Sequence, residues 1–350
     1  MAAVEICFGA ERLVGPGWPA LVVAEIGQNH NGRLALAEQL IDAAAWAGAD
    51  AVKLVKRDLD WELSAAAREQ PYTSPHSYGA TYGEHRRALE LSPDEHVALR
   101  ERAASHGLLC LTTASDPPSV ELALQLNVDG LKIASRDLTN TPLVEQVARS
   151  GRPIILSTGM SAWSEVDTAV AQLEEADASF ALLQCTSLYP TPLGEVHLRS
   201  MTSLAARYKK LVGFSDHTTS WLLPPVAVAL GAVIIEKHFT LDRGMKGTDH
   251  ACSLEPDELR RMVADIRNVE MAMGRSDKPV AHQIGAVRAK LGRSLATRAA
   301  LPAGTFLDES SFVMKSPGHG LSWSDRTRLL GRRTARDIPA DTTLTWNDVI

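Results

Sequence analysis

The chain is short of cysteine, of long apolar runs and of concentrated charge, and each shortage excludes something. Its 350 residues hold four cysteines, Cys7, Cys110, Cys185 and Cys252, scattered without metal-type spacing. That excludes a cysteine-built metal site and favours a reducing, cytoplasmic setting. Cys110 and Cys185 lie in apolar runs and are expected as buried small hydrophobes. No segment approaches the roughly 20 uninterrupted apolar residues of a membrane span. The opening stretch, Met1 to Ile6, has no charged region ahead of an apolar core, so it does not read as a secretory signal. The net charge is −6 with no long charge run, which leaves no electrostatic footprint for nucleic acid.

What is present is apolar material in a repeating order. Apolar residues make up 45% of the chain, enough for a sizeable core, and the length suits one large domain with or without a small one. Eight short apolar runs stand out: Leu21–Ile26, Ala51–Val55, Leu108–Thr112, Gly130–Ala134, Ile154–Ser157, Phe180–Leu183, Leu211–Phe214 and Ala232–Glu236. Between them apolar residues recur at helical spacing, as in Leu34 to Ala47 and Val144 to Val147. Most strand-to-strand intervals are close to the ~31 residues of a βα unit in an eight-fold barrel. The expected fold is therefore α/β, a (β/α)₈ barrel over residues 1–275. One interval is long. Lys56 to Leu91 includes the aromatic, polar stretch Pro71–Arg86, which reads either as a lid or substrate loop on the active face or as a plain surface loop.

Met273-Gly274 reads as a helix end, with Gly as the natural cap. Residues 276–292 read as a linker. From Arg293 the style changes to short strands with frequent Pro and Gly turns, predicting a compact β-rich domain over 293–350 that is marginal alone by size.

Candidate chemistry gathers at the ends of the runs. His217 follows the seventh and His238 the eighth; in neighbouring barrel strands they would meet at the rim where such barrels keep their active sites. Two imidazoles with carboxylates nearby can hold a divalent metal, although a single His at a strand end is more often a structural hydrogen bonder. Lys53 and Lys132 lie inside the second and fourth runs, where a lysine is costly unless paired. Thr113, Ser135, Ser157, Ser187 and Ser215 sit at or past the ends of strands three to seven. Each alone reads as a turn or cap residue; together with the lysines they would form an anion cradle. Glu25 ends the first run and could act as base or orienter. His30 reads as a turn residue. Asp137, Asp249 and His250 lie on the same rim, unranked by spacing.

The segments Ala-Glu-Ile-Gly-Gln-Asn-His-Asn-Gly, Lys-Ile-Ala-Ser-Arg-Asp-Leu-Thr-Asn, Leu-Ser-Thr-Gly-Met-Ser, Gln-Cys-Thr-Ser-Leu-Tyr-Pro, Gly-Phe-Ser-Asp-His-Thr and Glu-Lys-His-Phe-Thr-Leu-Asp-Arg resemble, in order and over nearly the whole chain, the N-acylneuraminate (sialic acid) synthase family. The tail resembles that family's antifreeze-like (SAF) domain, and Pro71–Arg86 resembles the branch containing the animal synthases. The resemblance implies condensation of phosphoenolpyruvate (PEP) with the open-chain aldehyde of an amino sugar, giving an α-keto acid three carbons longer and phosphate. It implies a divalent ion, manganese or magnesium, at His217 and His238. It places PEP at Lys53, Thr113, Lys132, Ser135, Ser157, Ser187 and Ser215, acids at Glu25 and Asp249, and a sugar-contacting ring at Tyr189. Asp137 and Arg136 are expected on the sugar side. It also implies a homodimer in which the SAF domain caps the partner's barrel.

Three positions depart from the family. Val55 stands where a sugar-facing glutamine is frequent, Arg136 replaces a small residue, and Ser316 replaces an arginine that reaches the N-acyl group in bacterial members. These departures bear on the acceptor, which need not be N-acetylmannosamine. Arg136 either points inward, favouring an anionic acceptor such as a sugar 6-phosphate, or outward to solvent or a neighbouring acid. Three readings stand: a PEP-dependent sugar-acid synthase, a PEP-condensing barrel acting on a different or nucleoside-linked aldehyde, and a catalytically silent sugar-binding protein.

Overall fold

The computed structural model describes residues 5–350; most of the stretch read above for a leader, Met1–Val4, lies outside them. The chain divides into two compact units, Met1–Gly274 and Arg275–Ile350. The first opens with a hairpin, β1 (Ile6–Phe8) and β2 (Arg12–Val14). Eight parallel strands follow: β3 (Leu21–Gly27), β4 (Ala51–Lys56), β5 (Leu109–Ala114), β6 (Gly130–Ile133), β7 (Ile154–Ser157), β8 (Phe180–Cys185), β9 (Leu211–Asp216) and β10 (Ile234–His238). They close in sequence order, β10 pairing back to β3. The barrel expected from the eight runs is the barrel found, with strand ends moved by up to two residues.

The two-residue period of a strand sorts its side chains. Inward, Leu21, Val23, Ala51, Leu111, Ile155, Ala181, Leu183, Leu211 and Ile234 form one cluster with Ile6, Phe8 and Val14 of the hairpin. The hairpin thus plugs the end of the barrel where the strands begin. Gly130 makes room for it: a Cβ there would lie 2.8 Å from the Phe8 ring. Outward, Val22, Ala24, Val52 and Leu54 pack on the surrounding helices, such as Leu34–Ala47 with Leu36, Ala37, Leu40, Ile41 and Ala44 buried. Each fully buried leucine contributes about 1.5–3 kcal/mol. The barrel's lower half is therefore sealed and apolar, and polar chemistry is left to the other end.

The segment after β4 is not a loop throughout. Its first part forms two short helices, Leu59–Glu62 and Ala65–Glu69, and Tyr82–Ala88 forms a third. Each start is capped by a side-chain oxygen, from Asp58, Ser64 and Thr81 respectively. Thr81 and Glu84 make a full capping box. The helix at Tyr82 corrects the expectation of a continuous loop to Arg86, and it buries Gly83, His85 and Arg86.

In the second unit, the stretch expected as a linker carries a helix, Ile284–Leu291. Strands β11 (Ser294–Thr297) and β12 (Phe312–Lys315) pair antiparallel. Leu295, Leu307, Phe312, Leu321, Leu329, Ile338, Leu344 and Val349 make its own small core. The rest is turns, isolated antiparallel bridges and short helices, in line with the small β-rich domain expected. Among the described residues no helix is long and apolar enough to cross a membrane.

Candidate active site

A cavity of about 310 Å³ opens at the ends of the strands. Glu25, Lys53, Thr113, Lys132, Ser135, Arg136, Ser157, Ser187, Tyr189, Ser215, His217, His238 and Asp249 line it. Asp137 does not. It sits in the short 3-10 turn Ser135–Asp137, 3.5 Å from the Arg136 guanidinium. Burial raises its carboxyl to about 6, with Arg136 opposing.

The floor of the cavity is a buried quartet of charges. Lys132 Nζ donates to Glu236 Oε1 at 2.8 Å, and Ser215 Oγ donates to the same oxygen at 3.0 Å. Lys53 contacts Glu25, donates to Thr113 Oγ1 at 2.8 Å and lies 3.8 Å from Glu236. All four side chains are at most 5% exposed. Burial favours neutral forms, but Lys132 and Lys53 outweigh it at Glu236 and hold that carboxyl at about 2. Glu25 is less well served: burial pushes it up to about 7 against the pull of Lys53. Likewise burial would lower Lys53, yet Glu236 and Glu25 raise it, so it stays charged. Gly27 keeps this corner open. The strand register shifts there, its φ is +53°, and a Cβ would lie 2.9 Å from Glu25 Oε1.

Glu236 was not singled out from the sequence, although a signal existed. It stands two residues before His238, so the pleat turns both inward. Lys237 between them faces the helices, where it pairs with Asp216 at 2.9 Å with both side chains at most 1% exposed. That lysine is structural, and Lys53 and Lys132 are not its equivalents.

His217 and His238 meet with ring centroids 5.3 Å apart. Tyr189 stacks on His217 at 4.1 Å and meets His238 edge-on at 5.6 Å. Burial, and for His217 also the neighbouring His238, lowers both to about 4. Both are therefore neutral near pH 7, the form that ligates metals. His217 Nδ1 lies 2.8 Å from the Thr186 carbonyl, which requires the proton on Nδ1 and leaves the Nε2 lone pair free. His238 Nδ1 is buried without a partner. The pair fits a divalent metal as two protein ligands. Among the described residues no cluster of three His, Cys, Asp or Glu side chains is placed to hold one. Cys185, expected as inert core, is buried but faces the cavity, its Sγ 3.9 Å from His217 Nδ1.

The remaining wall is rich in guanidinium. Arg57, Arg86 and Arg136 all line the cavity, with Gln28 and Val55. Arg86 donates twice to Glu62, at 2.7 and 2.8 Å, and Arg57 pairs with Glu90. Arg136 Nη2 donates to Ser115 Oγ at 2.7 Å and lies 3.4 Å from Glu62. Arg136 thus faces the cavity and is also held by neighbouring acids, which combines the two orientations expected of it. Arg57, Arg86 and Gln28 escaped the sequence reading: Gln28 and Arg57 follow directly after β3 and β4 with less telling side chains, and only the folded insertion brings Arg86 to this wall. Asp249 stands beside them; its carboxylate accepts from Gln28 Nε2 at 3.3 Å and from Thr248 Oγ1 at 2.8 Å.

A barrel enzyme with its polar site at the strand ends is the class that this fold and geometry define. The NeuB family model matches residues 40–278, and the SAF domain model matches 292–350. The human N-acetylneuraminate-9-phosphate synthase is 37% identical, over 97% of this chain and 95% of its own. The N,N'-diacetyllegionaminic acid synthase of Legionella pneumophila is 35% identical over 96% of each. The crystal structure of an N-acetylneuraminic acid (sialic acid) synthetase from Leptospira borgpetersenii, in complex with citrate, superposes with a TM-score of 0.71. It is 33% identical and covers 81% of this chain and 95% of that one. The chain belongs to the NeuB family and is an enzyme of the sialic acid synthase type, a transferase that forms a carbon–carbon bond.

Proposed function

We propose that the enzyme condenses PEP with the open-chain aldehyde of an N-acylated amino sugar, giving a nonulosonic acid and phosphate. One observation carries this reading most directly: two lysines are buried in the barrel around a shared carboxylate, beside two neutral histidines. Buried ammonium groups need anionic company, and PEP supplies it. Lys53, Lys132, Thr113, Ser135, Ser157, Ser187 and Ser215 would bind its phosphate and carboxylate.

In the reaction the PEP methylene carbon bonds to the aldehyde carbon. Water adds at the former enol carbon, and that carbon's bond to the phosphate ester oxygen breaks. His217 and His238 would hold a manganese or magnesium ion, which when bound polarises the aldehyde oxygen. Glu25, held near 7 by burial, would exchange a proton with the reacting groups. Asp249 and Tyr189 would orient the sugar.

The wall of Arg57, Arg86 and Arg136 supports an acceptor with an anionic group, such as a sugar 6-phosphate. Asp137 contributes through Arg136, without reaching the cavity itself. The proposal extends to a cytoplasmic homodimer in which the SAF unit, matched over residues 292–350, completes the partner's site, as the family resemblance implies. The deciding experiment measures phosphate release from PEP with a panel of N-acyl hexosamines, their 6-phosphates and unrelated aldoses. Release with no amino sugar would sink the reading, and release with a non-sugar aldehyde would favour another PEP-condensing activity.

A further inference from the structure

The long insertion after β4 and the loop after β10 lie far apart in sequence, yet both reach the cavity, the insertion's third helix through Arg86 and the loop through Asp249. They are tied to each other at two points. Tyr78 Oη donates to the Lys246 carbonyl at 2.6 Å, and the Gly247 amide donates to His76 Nδ1 at 3.2 Å. The Lys246 ammonium sits 4.6 Å over the Tyr78 ring. On the insertion side the tie is anchored. The Tyr78 amide donates to Nδ1 of His85 at 3.2 Å. That buried ring packs against Tyr72 at 4.5 Å and precedes Arg86 on the same helix. On the other side Gly247 is two residues before Asp249. Its φ is +152°, and a Cβ would lie 2.6 Å from the His250 ring, so the turn has little freedom.

We infer that Tyr78 and His76 form a clasp that positions Asp249 on the acceptor side of the cavity. They are positioning residues for acceptor recognition, acting through the loop 245–249 and touching no reacting atom. The loop has no regular structure between Phe239 and the short turn at His250. Gln28 and Thr248 hold the Asp249 carboxylate, but the outer bend at Lys246-Gly247 is fastened to the insertion. The inserted segment is therefore part of the specificity apparatus. Its contribution goes beyond Arg86, since it also holds a carboxylate donated by another element. PEP, bound by residues of the barrel floor, is indifferent to the clasp.

The inference rests on the function proposed above for its kinetic consequence, and two readouts keep the two apart. Tyr78→Phe removes one hydroxyl and His76→Ala one acceptor; the double variant removes both ties. Hydrogen exchange of the 245–249 amides is expected to speed up in the double variant, with the barrel strands unchanged. The acceptor KM is expected to rise about tenfold, the effect of losing one or two ordinary hydrogen bonds, while the PEP KM stays within about twofold. His76→Asn, whose side-chain oxygen can take the Gly247 amide, is expected to recover most of the loss in the single variant. Unchanged exchange in the double variant overturns the clasp. So does faster exchange with an unmoved acceptor KM, or a PEP KM that rises as much. A wild-type enzyme that turns over no amino sugar overturns the proposed function instead, and leaves the exchange result to decide the clasp.

Discussion

Lys132 and Glu236 meet at 2.8 Å across the barrel interior, from β6 and β10. The same carboxylate also faces Lys53 from β4 at 3.8 Å. One carboxylate thus ties two lysines from different strands together in a nearly dry site, with Glu25 also in contact with Lys53. A buried pair of this kind is weak evidence for stability, because desolvation offsets the attraction. In the proposed reaction its use is to hold two ammonium groups ready for PEP.

Lys132→Met is therefore expected to do two things. It leaves Glu236 with less compensation, costing about 3–5 kcal/mol of stability, and it raises the PEP KM at least about tenfold. Adding Glu236→Gln should restore much of the Tm without restoring PEP affinity. A PEP KM within twofold of wild type in the double variant would remove the lysine from the PEP site.

Metal removal is expected to abolish turnover, with manganese, magnesium or cobalt restoring it. His217→Ala or His238→Ala should each lose manganese binding, read by electron paramagnetic resonance. Each should slow the reaction about a hundredfold or more, since Lewis-acid help supplies several kcal/mol. Full activity in exhaustively metal-free enzyme would exclude the role.

Acid should destabilise the fold through buried histidines that do not line the cavity. His96 and His30 are buried, and burial lowers them to about 4 and about 3. Unfolded, they titrate near 6.5. Between those values the unfolded chain binds more protons, so stability is complete above about pH 6.5 and falls as the pH drops toward 4. Urea midpoints measured across that range should fall more steeply for wild type than for His96→Gln. Parallel slopes would show that His96 is not a source of the acid lability.

Arg136→Ala tests the anionic acceptor. If Arg136 reads that group, kcat/KM should fall about tenfold or more for an anionic sugar and little for its neutral form, the loss expected for one charged hydrogen bond. A wild-type enzyme that prefers the neutral sugar, or a variant with unaltered preference, would assign Arg136 to holding Glu62 and Ser115 alone.

A chain ending at Gly274 keeps both barrel clusters and is expected to remain folded by circular dichroism. If the second unit completes a partner's site, this truncation should become monomeric on sedimentation and bind the acceptor weakly. A truncated monomer with full kcat/KM would contradict that arrangement.

Much of the site was legible because a barrel strand turns sequence position into direction. Lys53, Lys132, His217 and His238 sit in or beside apolar runs, so strand order and pleat bring them together. Glu236 followed from the same rule and was overlooked beside the more conspicuous His238. The helix at Tyr82 was announced by Thr81 and Glu84, the spacing of a capping box, but the aromatic and glycine-rich approach to it reads as loop. Gln28 and Arg57 follow directly after β3 and β4, a strand-end position like that of His217 but with less telling side chains; Arg86 carried no local signal, since only the folded insertion turns it inward.

By itself the sequence determined the eight-stranded barrel, the family and the strand-borne residues of the floor, because periodicity and local pattern act over a few residues. The pleat turns Glu236 inward, but tertiary structure alone decided that it pairs with both lysines, that Arg136 shares Glu62 with Arg86, and that His76 and Tyr78 reach the loop of Asp249. Those are contacts between residues far apart in the chain, 171 positions for His76 and Gly247 and more for Lys53 and Glu236. Such contacts depend on closure of the barrel and the packing of its insertion, and no local spacing encodes them.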